Sequence, residues 1–349
     1  MKSRFLFLLV MLSLLSVGSY AKIWIVNNNV GQSSDFTTLE SAVAGATAGD
    51  TLYLIGSTTG YSGWGTGPYI TIDKKLTLIG PGYFLSSVAS TITNSSFIVD
   101  ALYITSNAGG TTVMGIVFNN YILISANNVL FKRNSGITST ARPIRIGQAP
   151  NGGTSAISNV IVTQNYIYNS SSVSAIDVTS GCNNITVSNN YIQQGVAVAD
   201  PVYSPNATVD IRNNILWGAS QMRLGAGVLE NNIITTSSIS TGTSIARNNI
   251  CDGSPLPSGN NNKLNIDLST VLVNNLAVYS SGDSWMQLKS GSPALAAGSN
   301  GEDCGVFGGS DPYVLSGLPP IPLVYFFSAS SSGSNSSGLP VTIKVQGKN

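Results

Sequence analysis

The chain has 349 residues, with 16 Lys and Arg against 15 Asp and Glu, no His and a net charge of +1. Charged residues make up 9% of it, against roughly 25% in an ordinary soluble protein, while 34 residues are Asn and 42% are hydrophobic. The near-neutral balance speaks against nucleic acid or a polybasic membrane anchor. The apolar content excludes a charge-swollen disordered chain, and the absence of His excludes His-ligated metals and Ser-His or Cys-His nucleophiles; three Cys make no disulfide framework.

Lys2 and Arg4, the apolar run Phe5 to Val17 and Ser19-Tyr20-Ala21 form a basic region, a short hydrophobic region and a small-x-small cleavage site, so residues 1–21 are expected to be a secretory signal peptide. Losing it leaves the acidic residues one ahead. No later stretch is long and apolar enough to span a bilayer, so a secreted or cell-surface location without a transmembrane segment is expected. Asp35 to Val43 carries plausible helix caps and helix-compatible apolar spacing. Gly49-Asp50-Thr51-Leu52-Tyr53-Leu54, Ile70-Thr71-Ile72 and Leu76-Thr77-Leu78-Ile79-Gly80 alternate as strands.

From Asn127 the chain repeats. Six segments align on the last Asn of each, Asn134, Asn165, Asn190, Asn214, Asn232 and Asn249, at spacings of 31, 25, 24, 18 and 17 residues. Five and three residues earlier, the first four copies carry Val129/Phe131, Val160/Val162, Ile185/Val187 and Val209/Ile211; copies five and six weaken this to Gly227/Leu229 and Ser244/Ala246. Two residues later stand Ile167, Ile192, Leu216, Ile234 and Cys251. A helical period would scatter these positions, whereas strand, corner and strand keeps them on one face. Asn suits a recurring corner because it tolerates the left-handed backbone, and its amide both donates to and accepts from its copy one turn away. Stacked at ~4.8 Å, such corners form an amide ladder, and the variable spacing places length changes in one loop per turn. The expected fold is all-β: a parallel β-solenoid over 22–309 with a short N-terminal capping helix. After it, 310–349 is Pro-, Ser- and Gly-rich. A Tyr-Phe-Phe strand and a terminal strand with Val341, Ile343 and Val345 are expected to form a small C-terminal β element, a cap or attachment, with a disordered tail as the alternative.

Asp35 to Leu54, with its Gly-Asp-Thr turn, followed by Ile70 to Tyr83 with Ile79-Gly80-Pro81-Gly82, resembles the opening of the right-handed parallel β-helix in the pectin-lyase-like superfamily. Leu288 to Ala294 and Asp303 to Gly308 are similar to the last coil of many secreted bacterial members. The resemblance covers Ile23 to Gly309 as architecture. It implies that a third strand in each coil, before the Asn-bearing pair, forms a carbohydrate groove on its outer face. Pro143 to Ile146, Ala175 to Val178 and Gln221 to Leu224 take that place, pointing Arg145, Asp177 and Arg223 outward, with Asp200 or Tyr203 on the intervening rung. Arginines would grip carboxylates or sulfates, and Tyr203, or Trp64 on its glycine-rich loop, would stack on a sugar ring. The bland alternative is a salt-bridged column on an exposed sheet.

The hydrolases of the superfamily use Asn-Thr-Asp, Asp-Asp, Gly-His-Gly and Arg-Ile-Lys elements; this chain has no His and no Asp-Asp, which removes that branch. The lyases use calcium held by carboxylates and an Arg base in Arg-x-Pro-x-x-Arg. Arg142-Pro143-Ile144-Arg145 departs from that spacing, leaving Arg145 as a catalytic candidate and Asp177 and Asp200 as candidate calcium ligands. The expectation is a monomeric, non-catalytic module that needs no cofactor and associates with a polysaccharide or cell-surface glycan. The alternatives are a calcium-dependent lyase of uronate polymers and a structural fibre or adhesin. Cys251 reads as a small core residue, Cys182 as a turn residue and Cys304 as part of the closing coil, while Lys132, Arg133 and Arg247 read as solvated.

Overall fold

The computed structural model describes residues 21–63, 69–88, 91–138, 143–195, 199–218, 221–273, 282–336 and 338–347. Alternating apolar residues fold the chain into a right-handed parallel β-helix whose coils each contribute up to three short strands. The first sheet stacks Ile23–Val26, Thr51–Leu54, Thr77–Ile79, Thr112–Met114, Leu130–Lys132, Ser158–Thr163 and Asn183–Ser188. The second, of eight strands, runs from Phe97–Ile98 to Ile250–Cys251. The third begins with Tyr69–Ile72, Ala101–Ile104, Ile122–Ile124, Ile144–Ile146 and Ile176–Val178. Val202–Arg212 and Met222–Glu230 each pass round a corner as one strand; the first links the two sheets into a single hydrogen-bonded sheet of 16 strands, and the second branches from it. One member of each alternating pair points inward, so Val160, Val162, Ile185, Val187, Ile144, Ile176 and Val202 pile into one continuous core. Each such side chain contributes about 1.5–3 kcal/mol by leaving water.

The corner between first and second sheets carries the amide ladder. Asn134, Asn165, Asn190, Asn214, Asn232 and Asn249 are each at most 1% exposed. The Oδ1 of every one from Asn165 onward accepts both the backbone N–H and the side-chain N–H of the Asn one coil earlier. The ladder has a further rung, Asn262, whose Oδ1 accepts from Asn249 at 3.1 and 3.0 Å. The left-handed residue is not the ladder Asn but the one before it: Arg133, Gln164, Asn189, Asn213, Asn231 and Asn248, at φ of 53–58°. That turn re-aims the chain, leaving the next residue to point inward with its amide buried. Gly227 interrupts the apolar pair of copy five for a local reason. Its φ is +118°, and a Cβ there would stand 2.1 Å from the Val209 carbonyl oxygen.

The N-terminal helix is shorter than its sequence suggests, Leu39–Gly45, capped by the Thr38 hydroxyl on the Ser41 N–H; Leu39, Ala42 and Val43 are buried against the first coils. At the other end the expectations need correction. Residues 303–308 do not close a last coil. From Ser299 to Leu318 the chain runs back down the solenoid as a strap, along the row of left-handed corner residues. Asn248 donates to Ser299, Asn213 to Asp303 O, Asn189 to Val306 O and Gly308 O, Gln164 to Asp311 and Arg133 to Leu318 O. Arg133, Lys132 and Arg247 are therefore not simply solvated: Arg133 is 5% exposed, Lys132 pairs with Asp311 at 2.8 Å and Arg247 with Glu230 at 2.6 Å. Residues 266–273 and 282–315 also roof the second sheet, where Tyr166, Tyr191, Ile215, Ile233 and Ile250 form a second core with Leu268, Met286, Val306 and Tyr313. The terminal strands pair with each other as an antiparallel hairpin, Leu323–Ala329 with Val341–Gln346. They lie beside Thr91, which bonds Val324 O, and not over the C-terminal end of the solenoid. No helix among the described residues is long and apolar enough to cross a membrane.

Candidate functional site

Strap and roof occupy one corner and the second sheet, which leaves the outer faces of the first and third sheets; the third carries the column of predicted site residues. Its outward positions stack in register as Thr71, Tyr103, Leu123, Arg145, Asp177, Tyr203, Arg223 and Ser240. Alternation causes this: Ile144 and Ile146, and Met222 and Leu224, are buried, which turns the residue between them outward. The structure thus brings Arg145, Asp177, Tyr203 and Arg223 onto four consecutive rungs, about 14 Å from first to last at the strand spacing. Tyr203, not Asp200, takes the intervening rung. Asp200 sits beneath it, fully buried. Trp64 lies outside the described residues.

The two carboxylates are engaged from within. Arg223 reaches Asp200 through Nε at 3.0 Å and Nη2 at 3.4 Å. Burial pushes the Asp200 carboxyl above its ordinary range, an effect the Arg223 guanidinium opposes. Asp177 is 4% exposed although it holds an outward position, and its Oδ2 accepts from Gln148 Nε2 at 3.1 Å. Among the described residues no three of His, Cys, Asp and Glu lie close enough to hold a metal ion. Asp177 Oδ2 and both Asp200 oxygens are thus already engaged by Gln148 and Arg223.

What the column presents outward is cationic and aromatic. The Arg145 guanidinium lies over the Tyr121 ring at 4.6 Å and that of Arg223 over Tyr203 at 4.6 Å. Arg145 forms no ion pair among the described residues. It turns from Asp177 on the next rung towards Tyr121 on the rung before, and its buried Nε has no hydrogen-bond partner there. Tyr121 in turn donates its hydroxyl to Tyr69 at 3.1 Å, with ring centroids 6.1 Å apart; burial and that contact push its phenol up to about 12. Tyr69, Tyr103 and Tyr121 extend the aromatic surface N-terminally. Their coils precede the Asn-marked repeats, so the repeat does not point to them, although each alternates with buried Ile or Leu.

A concavity of about 740 Å³ lies between the first sheet and the strap. Its floor includes Arg212, Glu230 and Arg247 on consecutive rungs. Glu230, 2% exposed, is paired with both arginines and accepts from the Ser299 hydroxyl. Its charges are thus consumed in joining solenoid and strap.

No protein-family model matches the chain, and no curated protein matches it. Among solved structures it is similar to a pectate lyase, Pel9A, at 12% identity and a TM-score of 0.36, over 83% of this chain and 97% of that one.

Proposed function

We propose that the protein is a secreted, non-catalytic β-helix module that holds an anionic polysaccharide along its third sheet. The observation that carries this reading is the pair of tyrosine-backed guanidiniums, Arg145 and Arg223, on a face that strap and roof leave open. The Arg145 guanidinium, laid on the Tyr121 ring, keeps its edge for a carboxylate or sulfate, and the ring fixes its plane beforehand, whereas Arg223 already turns Nε and Nη2 to Asp200 and offers its remaining N–H groups. The tyrosines offer apolar ring faces with a polar tip to the sugars between the charges.

Binding to pectate, alginate, a glycosaminoglycan and a neutral glucan, followed by calorimetry, tests this, with unsaturated-product absorbance recorded in parallel with added calcium. Retention of at least one polyanion but not the glucan is expected, with Arg145→Ala and Arg223→Ala each weakening it about tenfold, the equivalent of 1.4 kcal/mol. Unchanged binding in both variants overturns the site. Turnover of a uronate polymer that disappears in Arg145→Ala overturns the non-catalytic assignment.

A further inference from the structure

The backbone nitrogen of Lys22 stands 2.8 Å from Asp50 Oδ1, at the point where the sequence places the end of the leader. Asp50 is 2% exposed and belongs to the Gly-Asp-Thr turn. Its other oxygen accepts from Trp24 Nε1 at 2.8 Å, Thr47 N at 2.8 Å and Thr47 Oγ1 at 3.0 Å. The turn thus assembles four donors on one buried carboxylate, none of them cationic, and the Lys22 ammonium packs 3.2 Å over the Trp24 ring. Burial works to raise the Asp50 carboxyl, and the bonds from Lys22, Trp24 and Thr47 outweigh it, holding the group below the ordinary carboxylate range. A buried anion with four dipolar partners still gains from a full positive charge at contact distance. Lys22 itself is exposed, so a free chain end there has room.

We propose that proteolytic removal of the leader between Ala21 and Lys22 completes this site, the new α-ammonium of Lys22 forming an ion pair with Asp50 that locks the first strand to the turn before the second. A signal peptidase would add water across the Ala21–Lys22 peptide bond. The C–N bond breaks, the hydroxyl goes to the Ala21 carbonyl carbon, and the Lys22 nitrogen takes the remaining hydrogen and a solvent proton. A neutral amide N–H, one donor to Asp50, becomes an ammonium with three. Processing is then a stabilising modification of the folded protein as well as a release from the export machinery, and any residue ahead of Lys22 displaces the charge by one peptide unit.

The full-length chain is exported from a bacterial host and the product sequenced from its N-terminus, alongside a version with Ser-Gly inserted between Ala21 and Lys22. The expected product begins at Lys22; a different first residue overturns the proposal. Thermal unfolding is expected to fall by a few degrees in the Ser-Gly form, the shift a contribution of about 1 kcal/mol produces in a chain of this size. That difference is expected to vanish when both forms carry Asp50→Asn. Because Asp50→Asn can itself impair folding, acylation of the α-amino group by a limiting amine-reactive ester at neutral pH gives a second reading in unmutated proteins. Ion pairing raises an amine's pKa, and one unit costs a factor of ten in the reactive free base. The Lys22 α-amino group is therefore expected to react at least tenfold more slowly than that of the Ser-Gly form. Equal rates, or a thermal difference that persists in Asp50→Asn, overturn the pairing.

Discussion

Asn190→Ala isolates what the amide ladder contributes. In the native corner the Asn190 side chain accepts from the Asn165 backbone N–H at 2.9 Å and from Asn165 Nδ2 at 2.9 Å, and donates to Val162 O at 2.8 Å and Asn214 Oδ1 at 3.1 Å. Truncation removes all four. Asn165 Nδ2 keeps Phe131 O, and Asn214 Oδ1 keeps the Asn190 backbone N–H, so the serious loss is the buried Asn165 backbone N–H. About 2 kcal/mol for that orphaned donor and about 1 kcal/mol for each of the other three bonds give a cost of about 5 kcal/mol. Asn184→Ala is the matched control. Asn184 is an exposed corner residue at φ 49° whose amide bonds Asn159 at the surface, and its loss costs about 1 kcal/mol of hydrogen bond and left-handed preference combined. Guanidinium unfolding of both variants, followed by far-UV circular dichroism, makes the comparison under one set of conditions. A cost for Asn190→Ala within 1 kcal/mol of that for Asn184→Ala would refute the idea that burial makes the inner ladder structural.

Three further outcomes follow from buried charge and buried thiols. Glu230→Gln leaves Arg212 and Arg247 facing each other across a neutral rung and takes the strap's Ser299 partner out of its ion pair, so a loss of about 2–3 kcal/mol is expected in the same unfolding assay. Arg223→Ala removes the group that opposes the upward push of burial on Asp200. A carboxyl whose folded pKa lies above its unfolded value contributes stability that is present below the unfolded pKa and lost as pH rises through the folded one. The penalty of Arg223→Ala is thus expected to be smallest at pH values under 3.8, the ordinary Asp value, and to grow towards neutrality; a penalty flat with pH contradicts it. Burial pushes the thiols of Cys251 and Cys304 up to about 12, so a thiol reagent at pH 8 is expected to modify them at the rate of global unfolding, read as identical rates for both cysteines.

The solenoid was legible because its signal is periodic. Each Asn of the ladder meets another Asn, so self-similarity alone locates the corner, and strict alternation around it tells inside from outside. Asn262 escaped because no alternating pair precedes it; only its hydrogen bonds to Asn249 mark it as a rung. The strap could not be read this way. Its partners are one-off pairings across long separations, Arg133 with Leu318 and Gln164 with Asp311, and many are backbone carbonyls that leave no trace in side-chain pattern. One sequence feature did point to the roof. The strands after the ladder are apolar on both faces, Tyr166-Ile167, Tyr191-Ile192, Ile215-Leu216, Ile233-Ile234 and Ile250-Cys251, and such strands need cover outside as well as in. In the candidate site, alternation placed Arg145, Asp177 and Arg223 on one column correctly. Exposure did not follow from register, because whether an outward side chain meets solvent depends on loops whose path the repeat does not encode; Asp177 is outward and covered.

The scarcity of charge has a physical cause in the stacking, and that cause singles out one residue. Identical charges on adjacent rungs would face each other at ~4.8 Å, where repulsion of a few kcal/mol is expected near a protein surface, so a solenoid keeps charge only where neighbours cancel it. The first sheet obeys this with Arg212, Glu230 and Arg247 in sequence. On the third sheet Arg223 spends its charge on buried Asp200. Arg145 has an acid on the next rung and does not use it: Asp177 takes its hydrogen bond from Gln148, and the guanidinium lies instead on the Tyr121 ring. In a molecule that otherwise neutralises what it stacks, a cation braced by an aromatic ring on an open face is best accounted for by a counter-charge that arrives from outside. Arg145→Ala should therefore cost little folding stability, under 1 kcal/mol as for other surface changes, and most of the polyanion binding; the reverse pattern would make Arg145 a structural residue and move the site elsewhere.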